Sequence, residues 1–238
     1  MTSATRLVYL FYLMAFTLLF PGSLCGQGGF AEMVDRAFGS NQELVNGIQF
    51  TNQYIRSEGH PYWIDGGFKT GSVCINDQWF EQLQLRYNLF SQKLELGYLT
   101  PEGHMNQIIT VPENISAFFL GGYMFRRVQI VEEESAYYQV VSAGATTSYI
   151  RWSRDLLGTR SSGTSFGPIE REYWIHQGEQ WLHFKNQKSY VRAFPKEQKR
   201  ASKNLLKQQN FYFWRATTRE MVEMLLASIR LLEEGGEP

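Results

Sequence analysis

Apolar and polar residues alternate along residues 71–96, and this stretch carries the clearest pattern in the chain. Apolar side chains recur at every second position in three runs, and polar breaks fall at Asn76-Asp77 and Ser91-Gln92. A period of two is typical of strands with one buried face. Breaks this short between the runs predict a three-stranded antiparallel meander over residues 69–98.

Further alternating runs, separated by turn signals, continue to residue 185. A hairpin about Gln177-Gly178 is expected, and its register predicts that Trp174 lies opposite Trp181. The Gly- and Ser-rich stretch 158–167 predicts a hairpin loop. About ten strands in all indicate a mainly-β body built as a wrapped sheet, a sandwich or a partial barrel. Beyond the meander, the predicted strands are 107–111, 115–120, 123–131, 137–142, 146–154, 170–176 and 179–184.

Helical spacing appears at both ends of this body. Apolar residues within 30–38 recur with a helical period and predict a short N-terminal helix. After residue 185 the period changes again, and Ser189 is expected to cap a short turn. Residues 217–220 form a capping box that opens a C-terminal helix. The sequence therefore predicts an α+β protein, with a β body over 44–185 and two or three helices packed on it over 186–238.

The first residues predict export. Arg6 precedes an apolar run, Leu7–Phe20, whose 14 residues are too few to span a bilayer. A basic start and a short apolar run are typical of a signal peptide, here residues 1–26, which leaves a single mature domain over 27–238. The mature protein is expected to be periplasmic or secreted. Lipidation through Cys25 is a less favoured alternative, because Leu24 stands where a lipoprotein signal has a small residue.

Charge is balanced overall, with 23 basic and 23 acidic residues, so no nucleic-acid partner is expected. Locally, residues 185–208 carry eight Lys or Arg against Glu197 alone. This segment is either a solvated helix face or a contact surface for anionic lipid head groups, lipopolysaccharide or an acidic envelope protein. The candidate residues for such a contact are Lys196, Lys199, Arg200, Lys203 and Lys207.

A second candidate lies in the loop over residues 57–68, which carries His60, Tyr62 and Trp63 beside Gly59 and Pro61. Large rings in such a loop have two interpretations. They plug one end of the β body as core, or they line the mouth of a binding site.

Motifs for catalysis and metal binding are missing from the sequence. The four His residues lack metal-ligand spacing, and neither a serine-hydrolase elbow nor a phosphate-binding loop occurs. We therefore predict no catalytic residue, metal ligand or cofactor. One alternative is an envelope-polymer or glycan hydrolase with paired strand carboxylates, although Glu81, Glu95 and Glu170 are expected on strand surfaces. A weaker alternative is a carrier of apolar ligands.

Several short motifs follow one another in an order that resembles a family of secreted Bacteroidetes proteins to which no activity is assigned. The resemblance covers about residues 44–235. It implies an exported envelope protein and supplies no catalytic residues. Together with the missing site motifs, it leads us to expect a non-enzymatic protein with a binding, interaction or structural role in the bacterial envelope. The motifs are Asn46-Gly47, Gly59 to Trp63, Leu83 to Leu89, Tyr137 to Val140, and Tyr173 to Trp181 with the basic tail that follows.

Overall fold

The computed structural model describes residues 48–51, 53–99, 105–130, 134–158 and 163–234. The expected signal peptide and the expected helix over 30–38 lie outside these residues. The described part is a long antiparallel sheet followed by three helices, which confirms the mainly-β, α+β prediction.

The predicted meander is present as the second, third and fourth described strands. Most of the later predicted strands begin and end within two residues of the observed ones. The helices begin directly after the last strand. Strands are β1 (Ile48–Gln49), β2 (Lys69–Ile75), β3 (Gln78–Asn88), β4 (Lys93–Leu99), β5 (Met105–Ile109), β6 (Ile115–Leu120), β7 (Tyr123–Val128), β8 (Ala136–Ala143), β9 (Thr146–Ser153), β10 (Leu156–Gly158), β11 (Thr164–Phe166), β12 (Glu170–Gln177) and β13 (Gln180–Phe184). Helices are α1 (Gln187–Ala193), α2 (Lys199–Gln208) and α3 (Thr218–Glu234).

The main sheet consists of two meanders that meet at β2. The strand order is β1-β5-β4-β3-β2-β6-β7-β8-β9-β12-β13, and each pair of neighbours is antiparallel. β10 and β11 form a separate two-stranded sheet. Among the described strands, the edge strands β1 and β13 each pair with a single neighbour, so the main sheet is open.

This sheet is strongly curled. The rings of Tyr87 on β3 and Tyr137 on β8 lie 6.0 Å apart, although their strands are four places apart in the sheet order. Four spacings on a flat sheet would amount to about 19 Å. The Gln92 side chain in the β3–β4 turn also donates a hydrogen bond of 2.9 Å to the Trp152 carbonyl of β9. The curl therefore folds the two halves of the sheet over a shared aromatic core.

The helices close the inner face of the β8–β13 half. The Tyr173 hydroxyl on β12 donates to the sulfur of Met221 on α3 at 2.7 Å. Tyr190 on α1 and Ser228 on α3 share a buried hydrogen bond of 2.8 Å. The predicted capping box at the start of α3 is confirmed, because Thr217 and Glu220 exchange side chain to backbone hydrogen bonds.

Two local predictions are wrong. In the terminal hairpin, Gln177 pairs with Gln180, so the turn is Gly178-Glu179 and Trp174 lies opposite His183 instead of Trp181. Gly178 has a φ of +59°, and this conformation places the glycine first in the two-residue turn. In α1 the cap is Asn186, and Ser189 is the third helical residue that completes the capping box.

The packing at Gly71 generates a stability prediction. A Cβ at Gly71 would stand 2.2 Å from the Phe119 carbonyl oxygen and 2.8 Å from a Leu85 methyl. Because the nearer atom belongs to the β6 backbone, we expect Gly71→Ala to lower the free energy of unfolding by about 3 kcal/mol in urea titrations. Gly158→Ala is the control, since no atom lies within 4 Å of its Cβ. Equal stability of the two variants would contradict the described packing of β2 on β6.

Candidate functional sites

The loop over residues 57–68, which we call the ring loop, is fixed to the sheet by its backbone. The Trp63 amide donates to the Tyr87 carbonyl at 2.9 Å, and the Leu89 amide donates to the Pro61 carbonyl at 2.8 Å. Arg154 donates to the His60 carbonyl from one guanidinium nitrogen and to the Gly167 carbonyl from another. The ring loop is therefore an ordered layer on the sheet.

Two of the three predicted ring-loop residues are buried. The Trp63 ring makes edge contacts with the rings of Tyr123, Phe125 and Trp152, at centroid distances of 5.8, 5.0 and 5.9 Å. Tyr62 is also buried, while His60 is partly exposed and its Nδ1 accepts the Tyr62 amide proton at 3.2 Å. This placement matches the interpretation of the rings as core.

Beneath Tyr62 lies a buried ion pair between β3 and β4. Arg86 donates to one oxygen of the Glu95 carboxylate from Nη2 at 2.6 Å and from Nε at 3.0 Å. The other carboxylate oxygen accepts from the Asn88 amide at 3.3 Å, and Tyr62 contributes a further side-chain hydrogen bond. Glu95 is only 1% exposed, so its expected position on the strand surface is wrong.

Aromatic rings enclose the Arg86 guanidinium. Its central carbon lies 3.8 Å from the Tyr62 ring centroid and 4.5 Å from the Phe68 ring centroid. The remaining donors reach the Gly66 carbonyl and the Gln107 side chain, each at 3.3 Å. Both charges are thus matched by the protein itself, and this cluster stabilises the ring loop on the sheet.

The carboxylates considered for a hydrolase differ in burial and lie on three different strands or strand ends. Glu95 is held by Arg86, and Glu81 is exposed further along β3. Glu170 is exposed on β12, six places from β3 in the sheet order. The strands therefore do not bring these three acids together.

The two His residues of the terminal hairpin do not form a shared site. His176 stacks on Trp181 at a centroid distance of 4.3 Å, and His183 stacks on Trp174 at 4.6 Å. His183 also pairs with Glu172 at 3.2 Å. Among the described residues, no group of three or more His, Cys, Asp or Glu side chains is arranged to hold a metal ion.

The five predicted cations lie on or just before α2. Lys196, Arg200, Lys203 and Lys207 are exposed and Lys199 is partly exposed. Within the part of the chain that the structure describes, none of them forms an ion pair. Their charges therefore remain available to an outside anion.

Two of these cations line a groove of about 410 Å³ between α1 and α2. Its floor includes Val191 and the buried side chain of Leu206. Lys188 of α1, which the sequence did not single out, faces Lys203 and Lys207 across the groove. We call this feature the lysine groove. Lys196, Lys199 and Arg200 do not line it.

A second cavity of about 460 Å³ adjoins the lysine groove, because Gln187 and Lys188 line both. Arg171 and Lys185 lie in its wall, where Lys185 is paired with Glu172 at 2.5 Å, and the exposed ring of Trp214 also lines it. None of its lining residues is an acid. The sequence could not indicate this neighbourhood, because three separate segments meet there.

No helix of the described residues is long and apolar enough to cross a membrane. Comparisons of the chain with protein-family models, with curated proteins and with solved structures gave no match.

The buried ion pair predicts that truncating one of its two side chains strongly destabilises the protein. Arg86→Ala leaves the Glu95 carboxylate buried without a counter-charge, so we expect a loss of about 3–5 kcal/mol in the free energy of unfolding. Arg219→Ala removes the exposed Arg219–Glu223 pair and should leave stability nearly unchanged, because solvent screens that pair. Replacing both buried partners, as Arg86→Met with Glu95→Leu, should restore much of the loss. A double variant as unstable as Arg86→Ala would show that the unpaired Glu95 charge is not the cause of the lost stability.

Buried tyrosines predict a fall in stability at alkaline pH. Burial, followed by the Glu95 charge, raises the pKa of Tyr62 to about 12, and burial raises the pKa of Tyr173 to about 12. Tyrosines of the unfolded chain release their protons near pH 10. The folded state thus binds more protons between about pH 10 and 12, and the free energy of unfolding should fall with rising pH there.

The measurement is chemical unfolding at several pH values across this interval. Tyr62→Phe removes one of the titrating groups and should make the decline shallower than in the wild type. Tyr212→Phe, which makes the same change at an exposed ring, is the matched control. Identical slopes for wild type and Tyr62→Phe would show that Tyr62 does not titrate as described.

Proposed function

We propose that the protein is exported and acts without catalysis, docking onto phosphate-bearing anionic groups of the bacterial envelope through its C-terminal helices. The carrying observation is the lysine groove, where Lys188, Lys203 and Lys207 are exposed around an apolar floor. The signal-like residues 1–26 support the exported location.

Charge at the groove favours an anionic ligand. The lysine groove has no acidic lining residue, and α1 and α2 contain no Asp or Glu. Since unpaired ammonium groups attract phosphate oxygens, each lysine near an anionic lipid surface contributes about 1 kcal/mol. Three lysines would contribute about 3 kcal/mol, which corresponds to an affinity gain of roughly 100-fold.

The β body supports the same proposal because its buried rings and its buried ion pair find their partners within the protein. Tyr62 and Trp63 of the ring loop are packed as core, and the Arg86–Glu95 pair satisfies its own charges. These features leave the helical face as the strongest candidate for contact with another molecule. The curled sheet then serves as a scaffold that supports the C-terminal helices.

Sedimentation with lipid vesicles tests this function. We expect the full mature chain to bind vesicles containing phosphatidylglycerol and not vesicles of phosphatidylcholine alone, with affinity falling as salt increases. The triple variant Lys188→Gln, Lys203→Gln, Lys207→Gln should bind roughly 100-fold more weakly. A matched triple, Arg56→Gln, Lys93→Gln, Arg126→Gln, removes the same charge from the β body and should bind nearly as the wild type. Equal losses in both triples, or equal binding to neutral vesicles, would contradict the proposal.

A further inference from the structure

The segment over residues 211–216, between α2 and α3, presents large rings alternately inward and outward. Phe211 and Phe213 are buried, with their ring centroids 5.0 Å apart. Tyr212 and Trp214 point outward, and Trp214 is 81% exposed. The next most exposed tryptophan among the described residues is Trp79, at 43%. A ring this exposed contributes little to folding, because it remains in water.

The backbone that carries Trp214 is held in place from both sides. Gln187 donates to the Phe211 carbonyl at 2.8 Å, and Arg171 donates to the Ala216 carbonyl at 2.7 Å. Within the segment, the Ala216 amide donates to the Tyr212 carbonyl at 3.1 Å. With Phe213 as a buried anchor, the segment presents Trp214 from a fixed position and needs no folding transition to expose it.

Both signs of charge lie near the exposed rings: Glu220 and Glu223 share a cavity with Tyr212 and Arg215, while no acid lines the cavity beside Trp214. The Arg215 guanidinium lies 4.2 Å from the Tyr212 ring centroid. Trp214 shares a cavity wall with Lys185 and Lys188, and Lys188 also lines the lysine groove. Because Lys185 is paired with Glu172 at 2.5 Å, Lys188, which is unpaired among the described residues, is the residue that links the exposed Trp214 ring to the lysine groove.

We infer that Trp214 and Tyr212 insert into the interfacial layer of an anionic lipid bilayer while the neighbouring lysines contact head-group phosphates. Trp and Tyr favour this layer because each has an apolar ring and a polar group. Adjacent cations and exposed rings on one surface are typical of proteins that lie on anionic membranes. The inference rests on the proposed function and specifies its partner as a bilayer rather than a soluble acidic molecule.

Fluorescence quenching tests the insertion separately from binding. Vesicles of brominated phosphatidylcholine and phosphatidylglycerol, with bromine near the head groups, should quench the tryptophan emission of bound wild-type protein. Trp214→Ala should lose most of this quenching and bind roughly tenfold more weakly. Trp79→Ala, which removes the next most exposed tryptophan, should retain both the quenching and the affinity for vesicles. Circular dichroism checks that both variants fold.

The outcomes separate the two proposals. Binding to anionic vesicles with no quenching, or with quenching that survives Trp214→Ala, would overturn the insertion and leave the electrostatic function in place. Quenching that depends on Trp214, together with full binding by the lysine-groove triple variant, would support insertion and overturn the electrostatic function. Failure to bind any vesicle while binding a soluble polyanion such as heparin would overturn the bilayer assignment alone.

Discussion

A buried ion pair between Arg86 and Glu95 is the interaction on which the ring loop depends. The carboxylate is 1% exposed, so its charge must be matched within the protein. Arg86 supplies the matching charge, and the rings of Tyr62 and Phe68 lie over its guanidinium. The Tyr62 ring of this loop is in this way held as part of the core.

The curl of the sheet builds an aromatic core between its two halves. It brings the Tyr87 and Tyr137 rings of distant strands to 6.0 Å. The helices instead cover the half formed by β8 to β13, where Tyr173 and Tyr190 bond to α3. Exposed lysines lie on α1 and α2, and the exposed Trp214 ring lies in the connection between α2 and α3.

Features set by local patterns could be predicted from the sequence. The meander follows from alternation, and the capping box follows from Thr217 and Glu220 at their fixed spacing. The terminal hairpin register was predicted wrongly, because a turn at Gln177-Gly178 and one at Gly178-Glu179 keep the same side chains on each face. Burial of Glu95 could not be predicted, since it depends on a distant loop that covers β3 and β4. Lys188 and Trp214 were missed because α1, α2 and residues 211–216 meet only in the folded chain.

The central claim is that the ring loop is structural while the helical surface makes the contact. Amide hydrogen exchange of the protein, measured with and without anionic vesicles, tests both parts at once. We predict that vesicles slow exchange in α1, α2 and residues 211–216, while the Trp63 and Leu89 amides are strongly protected in both states. Fast exchange at Trp63 in the free protein, or vesicle-dependent slowing confined to the ring loop, would contradict the account.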